Sequence, residues 1–187
     1  MESTILTNQL LIAMPALQDP SFSHTVSYIC EHNEEGAMGL VINRPLGITV
    51  SELFEQIEID INPTSEHTKQ QVYLGGPVQQ ERGFVLHTLT HDWDSTLQIT
   101  DNLAITTSLD ILKAIASGEG PENFLLALGY AGWGAGQLEQ EILGNAWLSG
   151  PANEEILFRS PTEERWKEAA SIIGVDMSSL HGQAGHA

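Results

Sequence analysis

Apolar residues along the chain come in short runs separated by polar, glycine or proline breaks, and the spacing within the runs changes. Gln9–Met14 predicts a strand, and Pro15 and Asp19-Pro20 predict a loop after it. Thr25–His32 alternates, with Val26, Tyr28 and Cys30 on one side, which predicts a strand with one buried face. Glu34, Glu35 and Gly36 then turn the chain, and Met38–Ile42 returns as the second arm of a hairpin. After Asn43-Arg44-Pro45 the period lengthens. Thr49 and Glu52 have the spacing of a capping box, and Leu53, Phe54 and Ile57 follow at helical intervals. Asp60–Lys69 is polar and reads as a loop.

The second half repeats this grammar. Val72–Leu74 and Phe84–His87 are strands on either side of Gly75-Gly76-Pro77, with Arg82 placed in a turn before Gly83. Leu97–Thr100 and Leu103–Thr106 flank Asp101-Asn102 as a hairpin. Ser108–Ala116 is a helix closed by Gly118. Phe124–Leu128 is uniformly apolar, as expected of a central strand. Gly129–Gly136 reads as a glycine-rich loop leading into a short helix, Gln137–Ile142, and Asn145–Leu148 as a strand. Ser160-Pro161-Thr162-Glu163 has the form of a second capping box, opening a helix that runs to about Ile173 and stops at Gly174. Strands outnumber helices and often follow one another directly. This predicts a single α+β domain over 1–187, with a mainly antiparallel or mixed β core, several short flanking helices and a mobile tail at about 182–187.

Charge narrows the possible partners. The formal net charge is −18, from 25 acidic against 7 basic residues, and neither half of the chain is basic. Nucleic-acid binding rests on clustered Lys and Arg, so no direct DNA or RNA contact is expected. An anionic membrane surface would repel the same chain. Cys30 is the only cysteine, which rules out an internal disulfide and a cysteine-rich zinc site. With no basic leader and no span-length apolar run, the expectation is a cytoplasmic protein.

Three stretches together resemble a known family. They are LLIAMPALQDPSFSHTVSYICEHNEEGAMGLVINRP, GGPVQQERGFVLH and LALGYAGWGAGQLEQEILGNAWL. The chain is similar in them to the YqgE/AlgH family, and its closing Gly185-His186-Ala187 is similar to that family's usual C-terminus. The resemblance implies a bacterial, cytosolic α+β domain. Some members are labelled transcriptional regulators, and the resemblance implies no catalytic residues. Asn43, Arg44, Pro45, Gly75, Gly76, Pro77, Arg82, Gly83 and His87 match its motifs, and His91 lies outside them.

The candidate chemistry centres on two arginines. Arg44 follows a strand, and Arg82 sits beside Gly83 in a chain with few bases. Guanidinium groups bind carboxylates and phosphates through forked donors, and the Gly75-Gly76 backbone could add N–H groups as an anion nest. If the turns meet at one end of the sheet, Asn43, Arg44, Gly75, Gly76 and Arg82 form a site for a small anionic ligand, with His87 orienting it. The competing reading is that each arginine ties down its own turn. Three activities follow: a non-catalytic binding or regulatory module for a small anion, a hydrolase using the same pocket with His87 as general base, or a protein-interaction module. Oligomeric state is open.

Other motifs are weaker. GYAGWGAG lacks the Lys-Ser/Thr of a phosphate loop, and Glu139 and Glu141 at the following helix oppose a phosphate while suiting the helix dipole. Cys30 and His32 are too far apart along a strand for a nucleophile dyad, which leaves Cys30 as core packing. His87, His91, Asp92 and Asp94 lack the spacing of a helical metal motif, so neither a metal nor a cofactor is expected.

Overall fold

The computed structural model describes residues 5–62, 66–89 and 91–177, so the tail expected to be mobile lies outside the described residues. Strands β1 (Gln9–Ala13), β2 (Val26–Asn33), β3 (Gly36–Val41) and β4 (Pro45–Thr49) lead into helix α1 (Val50–Gln56). Strands β5 (Gln71–Leu74), β6 (Val78–Thr88), β7 (Thr96–Gln98) and β8 (Leu103–Thr106) precede α2 (Leu109–Ser117). Then follow β9 (Phe124–Gly134), α3 (Gln137–Leu143), β10 (Trp147–Pro151) and α4 (Arg165–Ile172).

The strands form one sheet in the order β10-β1-β2-β3-β9-β6-β8-β7, with β4 joined through β5 to β9. Its pairings are antiparallel apart from β5 with β9. The fold is α+β with a mainly antiparallel core and short helices, as the pattern predicts.

Side-chain alternation feeds three cores. Leu10 and Ile12 of β1, Leu125 and Ala127 of β9, and Phe84 and Leu86 of β6 share one cluster with Ala169 and Ala170 of α4. Leu126, Phe124 and Val85 point the opposite way and meet Leu53 and Phe54 of α1 and Ile111 and Ile115 of α2. Leu11 and Ala13 join Ile29, Trp133, Trp147 and Leu138 of α3 in the third. Strands covered on both faces read as unbroken apolar runs, which explains LLIA in β1 and FLLAL in β9. β2 departs from the expectation of one buried face: Ser27 and Ile29 are as buried as Val26, Tyr28 and Cys30, because α3 and its neighbours cover the second side.

The Gly129–Gly136 stretch also departs from expectation, since β9 continues through Gly134. Each strand-interior glycine costs roughly 0.5–1 kcal/mol. Burying a large apolar side chain returns roughly 1.5–3 kcal/mol, and Ala131 and Trp133 are both buried while their segment pairs with β3. Packing therefore overrides the glycine signal. These glycines serve close approach: a Cβ on Gly76 would lie 2.1 Å from the Tyr130 carbonyl carbon, and Gly129 holds φ +80° against the Gly76 carbonyl. Gly-Gly-Pro and GYAG thus belong to one tight backbone crossing.

The helix signals divide. The Thr49–Glu52 capping box forms as predicted, with both reciprocal bonds present. The Ser160 box does not form: Ser160 donates its hydroxyl to Glu168, and a 3-10 turn at Thr162–Glu164 precedes α4. Gly174 ends that region at φ +78°, as expected.

Candidate functional site

β6 carries Arg82 into an open groove. The strand pairs with β9 at Val78–Tyr130 and again from Gly83–Leu128 onward, and the irregular stretch between holds Gln79 at φ +50°. Arg82 therefore lies within a distorted strand rather than in the turn expected from Gly83; the turn is confined to Gly75–Pro77. The groove has a volume of about 600 Å³ and runs across β3, β9 and β6, with Met38, Gln79, Arg82, Phe84, Tyr130 and Trp133 along it.

Arg82 is exposed there and meets only neutral groups. Its guanidinium donates to Gln79 Oε1 at 3.4 Å and to Thr107 Oγ1 at 3.2 Å. The guanidinium carbon lies 5.7 Å from the centre of the Phe84 ring, and Phe84 packs edge-on against Tyr130 at 5.5 Å. No carboxylate lies within ion-pair distance of Arg82 among the described residues. A forked cation beside an aromatic wall can accept a carboxylate or phosphate whose body stacks on the rings.

The other expected site residues lie elsewhere. Arg44 donates to the carbonyls of Pro20 at 2.5 Å and Ser23 at 3.0 Å. Asn43 accepts from the Val26 amide at 2.9 Å and donates to the His24 carbonyl at 3.0 Å. Together they clamp the loop between β1 and β2. The Gly75 N–H is spent on the Leu128 carbonyl at 2.8 Å, and Gly76 faces the Tyr130 backbone. None of these four lines the Arg82 groove.

His87 does not line it either. It is 0% exposed. Its Nδ1 donates to the Thr88 carbonyl at 3.1 Å, which leaves Nε2 of the neutral ring to accept from the Thr106 hydroxyl at 2.7 Å. Burial pushes its pKa below the ordinary histidine value, and the Thr88 bond only partly opposes this. Trp93 packs edge-on against the ring at 5.2 Å.

Cys30 is buried, and burial with the neighbouring Glu31 charge pushes its thiol pKa up, away from a reactive thiolate. His32 is occupied at both nitrogens: Nδ1 accepts from the Leu6 amide at 2.9 Å, so Nε2 carries the proton toward Glu139 at 2.8 Å. Glu139 lies in the first turn of α3, whereas Glu141 stands further along the helix and serves side chains instead. Glu141 accepts from the indole N–H groups of Trp133 at 3.1 Å and Trp147 at 2.9 Å. Among the described residues no three His, Cys, Asp or Glu side chains gather as a metal set, and no helix is long and apolar enough to cross a membrane.

Sequence reasoning missed Arg165, the buried first residue of α4. The signal was present: Arg165 and Ala169 stand four residues apart on the helix face that packs inward.

Comparison with known proteins is consistent with this architecture. The AlgH-like family model matches residues 10–178. A UPF0301 protein of Thioalkalivibrio sulfidiphilus is 54% identical over 185 residues, covering 99% of this chain and 98% of the relative. One from Nitrosococcus oceani is 54% identical, covering 96% of each. The solution structure of the AlgH protein from Pseudomonas aeruginosa superposes with a TM-score of 0.79 at 52% identity, covering 100% of this chain and 98% of that one. A Corynebacterium diphtheriae protein has the same fold at 20% identity, with a TM-score of 0.74 and 96% and 94% coverage. This chain belongs to the AlgH-like family.

Proposed function

We propose that the protein is a non-catalytic binding or regulatory module whose ligand is a small anion seated in the Arg82 groove. The observation that carries this reading is an exposed guanidinium held by an amide, a hydroxyl and an aromatic ring, with no carboxylate within ion-pair distance among the described residues. Arg82 supplies charge and forked donors, and Gln79 is a polar neighbour able to turn its amide to the ligand. Half-buried Tyr130, backed by the buried rings of Phe84 and Trp133, favours an apolar body on that ligand. Arg44, Asn43, Gly75 and Gly76 act on this reading as scaffold, and His87 supports the sheet from within.

The acidic surface supports a partner other than nucleic acid or an anionic membrane. The single buried thiol suits a reducing, cytoplasmic setting.

A thermal-shift series with sodium benzoate and sodium phosphate tests the assignment. A ligand that binds only the folded state raises the melting temperature by mass action. We expect a rise in wild type that is lost in Arg82→Gln. A rise of equal size in that variant removes Arg82 from the site.

A further inference from the structure

A second cavity, of about 260 Å³, lies where the start of β5 meets the segment entering α4. Gln70, Tyr73, Thr162 and Arg165 supply polar groups to it, and Leu157 and Phe158 form part of an apolar wall. Arg165 is 5% exposed. Its Nε donates to the Ser160 carbonyl at 3.0 Å and its Nη1 to the Ile42 carbonyl at 2.5 Å. The guanidinium carbon lies 5.2 Å from the centre of the Tyr73 ring, and the Tyr73 hydroxyl is hydrogen bonded to Thr162 Oγ1 at 2.7 Å.

A buried cation normally has an anionic partner, because its desolvation is costly. Among the described residues no carboxylate lies within ion-pair distance of Arg165. Glu163 and Glu168 act on it only from farther away, and the Glu168 carboxylate accepts from the Ser160 hydroxyl instead. Burial pushes the guanidinium below its ordinary pKa, against the opposing effects of Tyr73 and these two acids. An arginine nonetheless stays charged at neutral pH. Guanidinium carries five N–H donors; the two carbonyls use two of them, and the Tyr73 hydroxyl is a further hydrogen-bond partner. The donors that remain belong to a buried residue that lines the cavity.

We propose that this cavity holds a small oxyanion, a carboxylate or a phosphate, with Arg165 as its counter-ion and the Tyr73 and Thr162 hydroxyls as neutral hydrogen-bond partners. The site is independent of the Arg82 groove, since it uses another arginine and another wall of the sheet. Gln70 at its edge offers a direct manipulation: a carboxylate there would compete with the ligand from within the chain.

The test is an amide NMR titration with sodium acetate and, separately, sodium phosphate at constant ionic strength. Wild type, Gln70→Glu and Arg82→Gln are compared. Saturable shifts at Tyr73, Thr162 and Arg165 are expected with at least one probe, and the probe that saturates identifies the oxyanion class. Gln70→Glu should weaken that binding by about tenfold or more and raise the melting temperature, as an internal ligand would. Arg82→Gln should leave these shifts unchanged, which separates this site from the groove. The proposal is overturned by shifts confined to the Arg82 groove, by no saturable shift with either probe, or by wild-type binding in Gln70→Glu. Because Gln70→Glu leaves Arg165 in place, its result does not depend on the fold surviving loss of the buried arginine.

Discussion

At the residue scale, one strand, β6, carries both a buried imidazole and an exposed guanidinium. His87 and Arg82 stand five positions apart around a glycine, and both matched motifs of the family, yet one lies inside the sheet and the other in an open groove. Only the strand register, set by pairings with β9 and β8, separates them. For His87 the burial has a consequence in pH. Its folded pKa is lowered, so the unfolded chain binds the proton more readily. Its contribution is fully present above the ordinary histidine value of about 6.5 and is lost as pH falls from there through the folded pKa. Urea melts between pH 7.5 and 5 should show stability falling over the acidic half, with a shallower slope in His87→Gln. Identical slopes would mean that another group carries the acid sensitivity.

At the element scale, local rules succeeded where a helix or turn is self-contained. The Thr49 box needs only residues three apart, and it forms. Thr49→Ala should destabilise the fold by about 1 kcal/mol, read as a lower denaturation midpoint at unchanged slope. A neutral result would mean that α1 is held by Leu53 and Phe54 alone. The rules failed where distant chain decides. Ser160 has the sequence of a cap, but Glu168 takes its hydroxyl while Arg165 takes its carbonyl. GYAGWG has the composition of a loop, but β3 pairs with it and its tryptophan is buried, so it extends β9. No window of sequence contains those partners.

At the scale of the molecule, the apolar runs predicted an α+β sheet because central strands covered on both faces leave a strong linear record. The expected meeting of Arg44 with Arg82 had no such record, since it depended on which turns share an edge. The structure ties Arg44 to the 20–23 backbone and leaves Arg82 at the groove. The net charge of −18 sets a further condition. An approaching anion meets long-range repulsion, so affinity must come from local donors and ring contacts, and it is best measured near 0.15 M salt, where charges beyond about 8 Å are screened. The most direct test of the anion reading is therefore an NMR titration with benzoate under those conditions, following the Gln79 and Arg82 amides and the Trp133 indole. The account predicts saturable shifts at all three that vanish in Arg82→Gln while the remaining spectrum is unchanged. Shifts that persist without the arginine, or none in wild type, would contradict it.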